Sequence, residues 1–231
     1  KFITGLLSDG SEFRQSFSGC HRRLSDYGII NSLAQVVLKF TCPGIPDVYQ
    51  GCELWDLSLV DPDNRRPVDY FLRGQYLQEE PGYDASFWQQ LWADRYNGRI
   101  KLRLTQRLLN LRAAAPETFT QANYLPLTVT GRYKNNILAF ARQWGKTWYV
   151  VAVPLHLSAL NADGADPLKF DWKDTAIILP GAAPRKWQSL LSDVKGYATG
   201  PLSIDALFKD LPLALLKLEH PANRGAGLLM H

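Results

Sequence analysis

The sequence predicts an α+β protein in which a helical first half is followed by an antiparallel β-sandwich domain. Up to about residue 115, apolar side chains recur at the three- and four-residue spacing of amphipathic helices. After about residue 120, short β-rich runs alternate with glycine and proline. This change in composition places a domain boundary near residues 116–124, and we expect one domain over 1–118 and a second over 119–231.

Three helices are predicted in the first half, over residues 29–41, 84–96 and 100–115. Pro43 ends the first helix and Pro116 ends the third, because proline has no amide proton and clashes with the preceding turn. In the second helix Trp88 and Trp92 are four residues apart. A sugar platform and a buried apolar stripe would both use that spacing, and the buried stripe is the favoured interpretation.

The second half contains six candidate strands. They cover residues 137–142, 147–154, 176–179, 187–191, 202–204 and 213–218. The first two are separated by a short polar segment that predicts a β-hairpin with Trp144 at its tip. An aromatic side chain at that place is a candidate contact for a sugar, although surface aromatics without a function are common.

The composition excludes several classes of function. Hydrophobic residues make up 46% of the 231 residues and charged residues 21%, as in ordinary globular domains. The net charge of +4 comes from scattered lysines and arginines, so nucleic acid and a membrane surface are not expected partners. No apolar run approaches the roughly 20 residues that span a bilayer, and no secretory signal is recognisable.

The cysteines and histidines predict neither a metal site nor a cofactor. Four histidines, among them His231, lie far apart, and Cys20, Cys42 and Cys52 include no CxxC pair. An odd number of cysteines favours reduced thiols and therefore a cytoplasmic protein. The chain begins at Lys1 rather than at methionine, which proteolytic processing or excision from a longer protein would each explain.

The segment over residues 43–70 contains the candidate functional residues, and it reads PGIPDVYQGCELWDLSLVDPDNRRPVDY. Aromatic rings cover the apolar faces of pyranoses, while carboxylates and guanidinium groups hydrogen-bond the hydroxyls. This mixture of residues is typical of the rim of a sugar-binding cleft. The predicted substrate-binding residues are Tyr49, Glu53, Trp55, Asp63, Arg65 and Arg66.

Each of these residues also has a structural interpretation. For Trp55 core packing and sugar contact are about evenly balanced, whereas for Tyr49 core packing is the favoured interpretation. For the arginines substrate contact is favoured, and the alternative is that one of them only orders the loop by pairing with Asp63 or Asp69. The segment holds six carboxylates, but their spacing does not select an acid–base pair. Substrate contact or ordering of the loop is therefore favoured over catalysis by these acids.

The same segment resembles the maltooligosyl trehalose synthase family of the α-amylase superfamily. The resemblance rests on PGIPDVYQG followed by ELWDLSLVDPDNRRPVDY. It implies that residues 1–118 are the C-terminal remnant of a (β/α)8 barrel, with residues 48–50 as the eighth strand and the helix over 100–115 as the last barrel helix. Residues 119–231 would form the antiparallel C-terminal domain, with its closing strand over residues 211–216.

The resemblance also implies an activity. Enzymes of this family convert the reducing-end α-1,4 linkage of a maltooligosaccharide into an α,α-1,1 linkage, as (1→4)-α-D-glucan 1-α-D-glucosylmutases. The motifs that carry the family's catalytic carboxylates are absent from the sequence and would lie N-terminal to Lys1. The expected partners are therefore the substrate and a missing N-terminal barrel, and the isolated chain is expected to be inactive.

Two alternatives stay open from the sequence. The chain could come from another hydrolase or glucanotransferase of the superfamily, which would share the first part of the motif but need not share its second part. It could instead be a non-catalytic domain that binds carbohydrate or serves as a scaffold.

Overall fold

A computed structural model of the protein describes residues 1–78, 82–160 and 166–220. The helices of the first half are separated by a long loop and by short 3-10 turns. Their bounds are α1 Phe2–Leu6, α2 Glu12–Thr41, α3 Tyr70–Leu77, α4 Ala85–Ala93, α5 Arg99–Ala114 and α6 Pro116–Gln121. The three predicted helices are confirmed and correspond to α2, α4 and α5.

The ends of these helices follow from local chemistry. α2 begins well before the predicted residue 29, because the Ser11 side chain accepts a hydrogen bond from the Arg14 amide and caps the helix. α4 is shorter than predicted, and a 3-10 turn over Arg95–Asn97 ends at Gly98 with φ +81°. Pro116 ends α5 as predicted, and it also opens α6, because proline is favoured at the first helical position.

In the described part of the second half there are nine strands, two short α-helices and two 3-10 turns. The strands are β1 Asn123–Pro126, β2 Thr128–Thr130, β3 Ile137–Trp144, β4 Thr147–Pro154, β5 Ala176–Ile178, β6 Lys186–Ser189, β7 Lys195–Tyr197, β8 Leu202–Ser203 and β9 Ala214–Glu219. The helices are α7 Leu157–Leu160 and α8 Ile204–Leu207. One sheet has the order β1-β3-β4-β9-β6-β7 and the other β2-β5-β8, and all pairs are antiparallel.

The six predicted strands are all present within a few residues of the expected bounds. The prediction missed β1, β2 and β7, which are three to four residues long. The strand expected over residues 48–50 is wrong for this chain: residues 45–49 carry no ladder pairing in the part that the structure describes. A parallel strand needs a neighbouring strand to satisfy its backbone groups.

One apolar core connects the helical half to the sheets. Phe40, Trp88 and Leu104 from the helices and Val150 and Leu216 from the large sheet are each at most 1% exposed and belong to the same cluster. The core therefore runs across the predicted boundary at residues 118 and 119, which lie inside α6. The division into two domains stays a prediction, and residues 221–231 of the second domain lie outside the described residues.

No helix within the described ranges is both long enough and apolar enough to cross a lipid bilayer.

Candidate functional site

The candidate segment is a long loop between α2 and α3. Pro43 and Pro46 with Gly44 at φ +111° prevent α2 from continuing, and Asp69 starts α3 by accepting a hydrogen bond from the Leu72 amide. Within the loop the chain makes one 3-10 turn over Asp61–Arg65. Backbone irregularity of this kind lets many side chains face the same groove.

Arg73 on α3 holds the loop together. Its Nε donates to Glu53 Oε2 at 2.9 Å, its Nη2 to the Gly51 carbonyl oxygen at 2.8 Å and its Nη1 to the Asp69 carbonyl oxygen at 3.0 Å. The Arg73 side chain is 14% exposed and that of Glu53 24%. The predicted substrate residue Glu53 is thus an ion-pair partner of an arginine that the sequence did not single out.

Within the loop, Trp55 packs against the start of α5 and the turn that precedes it. Its indole Nε1 donates to the Arg95 carbonyl oxygen at 2.7 Å, and the Lys101 ammonium lies 5.5 Å from its ring centroid. Gly98 permits this approach, since a Cβ there would lie 3.0 Å from the Trp55 backbone nitrogen. The ring is partly buried and packs against the core, so Trp55 has a fixed orientation.

Lys101 is itself half-buried behind the tryptophan. Its Nζ donates to the Leu54 carbonyl oxygen at 3.2 Å, and burial lowers the pKa of its amine below the usual value. The positive charge next to the loop carbonyls still favours one loop conformation.

The two adjacent arginines of the loop differ in position. Arg65 pairs with Asp61 and Arg66 pairs with Asp63, both at 2.7 Å, and both guanidinium groups are largely exposed. Only the second pair borders the groove described next. Pairing of one arginine with Asp63, which the sequence left as an alternative, is thus observed at Arg66, whereas the partner of Arg65 is Asp61, which was not predicted.

A groove of about 460 Å³ follows the loop from Gln50 to Asp69, and Arg73 is also part of its lining. Of the six predicted substrate residues it is lined by Trp55, Asp63 and Arg66. Tyr49, Glu53 and Arg65 are outside its lining. Tyr49 is 50% exposed, so it is not the core residue that the sequence favoured.

The acidic side chains of the groove are hydrogen-bond acceptors. Asp56 accepts from the Ser58 hydroxyl at 2.5 Å and from the Ser58 amide at 3.0 Å, and these bonds hold the pKa of its carboxyl below the usual value. An ionised carboxylate orients sugar hydroxyls, whereas a general acid in glycoside cleavage requires a raised pKa.

A second cavity of about 640 Å³ lies on the other side of the same loop. It is bounded by the middle of α2, by Trp55, Asp56 and Leu57, and by Tyr96 with Lys101. Trp55, Asp56 and Leu57 thus line both cavities.

The remaining candidates are placed as follows. Trp88 and Trp92 are 0% and 5% exposed, which confirms that they are core residues. Trp144 is 46% exposed at the β3–β4 hairpin. No group of three or more potential metal ligands occurs among the residues that the structure describes, and His231 lies outside them.

These elements define an α+β protein with antiparallel sheets and a polar, aromatic-edged groove beside its helical half. No family model matches the chain. Over 213 residues it is 34% identical to a protein of Mycobacterium tuberculosis whose name assigns it provisionally as a maltooligosyl trehalose synthase. This match covers 91% of the chain and 23% of the relative, so the chain spans about a quarter of that protein's length.

Solved structures give the same result. The structure of maltooligosyltrehalose synthase from Arthrobacter ramosus matches with a TM-score of 0.70 and 29% identity, over 93% of this chain and 25% of that one. Another maltooligosyl trehalose synthase crystal structure matches with a TM-score of 0.61 and 25% identity, over 91% and 25% of the two chains. The resemblance to the C-terminal portion of maltooligosyl trehalose synthases is thus confirmed.

Proposed function

We propose that this chain is the C-terminal part of an intramolecular transglucosylase that converts the reducing-end α-1,4 linkage of maltooligosaccharides to an α,α-1,1 linkage. The complete protein would be a (1→4)-α-D-glucan 1-α-D-glucosylmutase, an isomerase of the α-amylase superfamily acting in the cytoplasm. The observation that carries the proposal is the 34% identity over 91% of the chain to a relative named for this activity.

In this proposal residues 1–118 complete a (β/α)8 barrel, and residues 119–231 form a sandwich domain that packs against it. The loop over residues 43–70 would be one wall of the substrate pocket. The Trp55 ring offers an apolar face, and Asp63 and Arg66 offer a carboxylate and a guanidinium group at the same groove. Because Arg73 and Lys101 donate to the carbonyl oxygens of Gly51 and Leu54 in the loop, the wall would be ordered before substrate binds.

Rearrangement requires that the released glucose stay in place while water stays out, since water would give hydrolysis. The proposed role of Arg66 and Asp63 is to bind this glucose or the sugar next to it. Glu53 would act indirectly, through its ion pair with Arg73, and Tyr49 and Arg65 would contact substrate only if the rest of the barrel brings it to them.

The catalytic carboxylates would lie in the N-terminal part of the longer protein. Retaining glycosidases need a nucleophile and a general acid about 5–5.5 Å apart. In the groove the Asp56 carboxyl has a lowered pKa, which suits a hydrogen-bond acceptor and not an acid. The isolated chain would accordingly fold but not react.

The test compares the full-length product of the gene with the 231-residue chain. Each is incubated with maltopentaose, and two quantities are measured: the concentration of reducing ends and the concentration of free glucose. The full-length protein should consume reducing ends without releasing an equal amount of glucose. The chain alone, shown to be folded by a thermal melt, should do neither.

Each other outcome identifies a different error. Glucose release in step with cleavage by the full-length protein would indicate a hydrolase of the same superfamily. Conversion by the folded chain alone would make the acids between Asp47 and Asp69 the catalytic candidates and would disprove the proposed division of the site.

A second candidate function is glucan binding by the β half, which the 46% exposure of Trp144 favours. Affinity electrophoresis in a starch gel tests it. If starch slows the migration of the chain and Trp144→Ala abolishes that effect, glucan binding is supported. If starch does not change the mobility of the unmodified chain, glucan binding is excluded.

A further inference from the structure

Among the residues that the structure describes, the first half of α2 packs against no apolar core. Residues 12–24 are exposed throughout, although the rest of the same helix supplies part of the main core. In the second half of α2, Ile30, Leu33 and Val37 face that core and are at most 1% exposed. A helix that loses its tertiary contacts over more than three turns is unstable alone.

The core-facing side of α2 becomes polar in this first half. Stepping back in sevens from Leu33, which preserves the helix face at about 100° per residue, gives Asp26, Gly19 and Glu12. Asp26 is paired there with Arg95 at 2.7 Å. This side of the helix therefore carries no apolar surface for the rest of the chain to cover.

The apolar residues of the first half lie on a different side. Phe13, Phe17, Cys20 and Leu24 are all exposed and follow one another at spacings of four, three and four residues; we name them the α2 stripe. The Phe13 and Phe17 rings are stacked with centroids 5.3 Å apart. Farther along, the same side of the helix is polar and exposed at Asn31 and Gln35, and its edge toward the core carries Tyr27 and Ala34, which are buried.

We propose that the α2 stripe is the docking surface for a helix from the polypeptide that precedes this chain in the longer protein, a proposal that rests on the proposed function. The spacing of four, three and four is that of a helix–helix seam. The chain spans about a quarter of its relatives, so three quarters of such a protein is available to cover the stripe.

The position and charge of the stripe fit this occupant. Two further apolar side chains, Phe2 and Ile3 of α1, precede the stripe in the sequence and are 80% and 68% exposed. Arg23 is exposed at the border of the stripe, next to Cys20 and Leu24 in a shallow groove. The docking helix should therefore present apolar side chains edged by a carboxylate.

Cys20 makes the proposal measurable, because it is an exposed thiol within the stripe. The alkylation rate of the Cys20 peptide by N-ethylmaleimide is followed by mass spectrometry in the full-length protein and in the 231-residue chain. We expect the rate to be roughly tenfold or more lower in the full-length protein, because the docked helix must open before the thiol reacts. Equal rates would overturn the proposal.

Two variants of the full-length protein sharpen the test. Phe17→Glu introduces a charge into the stripe and should return the Cys20 rate toward that of the free chain. Gln15→Glu introduces the same side chain on the opposite side of α2 and should leave the rate unchanged. Identical behaviour of the two variants would mean that the stripe is not the interface.

The same experiment distinguishes docking of a preceding helix from docking of a second copy of the chain, and it tests the proposed function separately. If the alkylation rate of Cys20 in the 231-residue chain falls as protein concentration rises, a second copy covers the stripe and the proposal is wrong. The rearrangement of maltopentaose by the unmodified full-length protein is scored independently. If Cys20 is protected but maltopentaose is not rearranged, the docking surface is supported and the proposed function is disproved. If maltopentaose is rearranged but Cys20 is not protected, the proposed function is supported and the docking surface is disproved.

Discussion

At the scale of single residues, Arg73 shows how the candidate loop keeps its shape. One guanidinium group satisfies two backbone carbonyl oxygens and one carboxylate, from Gly51, Asp69 and Glu53. Arginine suits this role because its five donors project in a rigid plane. A lysine would offer a single point of attachment and would leave some of these acceptors unsatisfied.

Replacing Arg73 should therefore cost measurable stability. Arg73→Met leaves the Glu53 carboxylate without its partner in a partly buried place, and we expect a loss of about 2 kcal/mol in the free energy of unfolding. Urea denaturation of the chain measures it. The matched control is Arg65→Met, whose pair with Asp61 is about 70% exposed on both sides and should be worth at most about 0.5 kcal/mol.

Arg66 and Arg65 form a natural pair for testing the groove. Each has a carboxylate partner at 2.7 Å, but Arg66 lines the groove and Arg65 does not. In the full-length protein, Arg66→Ala should raise the ratio of hydrolysis to rearrangement roughly tenfold, because one charge-assisted hydrogen bond to the sugar is lost. Arg65→Ala should change it much less. Equal ratios for both variants would remove Arg66 from the proposed site.

Residue types predicted the segment and offered an arginine pair with Asp63 as an alternative, but they did not predict the pair of Glu53 with Arg73. Trp55, Asp63 and Arg66 were selected as residue types that suit sugars, and the structure places all three at one groove. The Glu53–Arg73 pair joins residues 20 positions apart, and its formation depends on how the loop folds back against α3. Which of the two adjacent arginines lines the groove likewise depends on the 3-10 turn. This turn has only five residues, which is too few for its three-residue period to be recognised in the sequence.

At the scale of secondary-structure elements, Arg142 joins the helices to the large sheet. It lies on β3 and is 1% exposed. Its guanidinium donates to the Thr41 carbonyl oxygen at 2.8 Å, where α2 ends, and to Thr118, Phe119 and Ala122 at 3.2–3.3 Å, at the end of α6. Carbonyl groups at helix C-termini lack intrahelical partners and carry partial negative charge.

Arg142→Met should be among the most damaging single substitutions in the chain. It leaves four carbonyl oxygens without their donor in a buried place, and we expect the free energy of unfolding to fall by about 3 kcal/mol or more. Thermal and urea unfolding followed by circular dichroism measure this loss. The control, Arg132→Met, removes an exposed arginine near the Tyr133 ring and should cost under about 1 kcal/mol. A mild effect at Arg142 would show that water replaces its bonds.

The sequence could place β3 but not explain its arginine. The run ILAFAR is buried on both sides, so the alternation that distinguishes an inner from an outer face is missing. An arginine at the end of such a run is typical of a strand that reaches solvent. Only the approach of two helix ends, from residues about 20 and 100 positions away, makes its burial favourable.

At the scale of the whole molecule, the helical half and the sheets share their interior. The Trp88 indole of α4 donates to the Leu191 carbonyl oxygen, and Arg107 of α5 donates to the Leu190 carbonyl oxygen at 2.7 Å. Arg107 also pairs with Asp193 at 3.0 Å. These contacts reach from the first predicted domain into the second, and the composition boundary near residue 118 therefore marks a change of secondary structure and not a gap in the core.

The last prediction concerns how the two halves unfold. Because the core and the Arg142 contacts cross the boundary, we expect the chain to lose its helices and its sheets in one transition. Near-ultraviolet signals from buried tryptophans such as Trp88 and Trp148 should coincide with far-ultraviolet circular dichroism along a urea titration, apart from earlier fraying of residues 12–24. Two separated transitions would show that the halves are energetically independent. The apparent connection at Arg142 would then contribute little, and the same experiment on Arg142→Met would leave both midpoints unchanged.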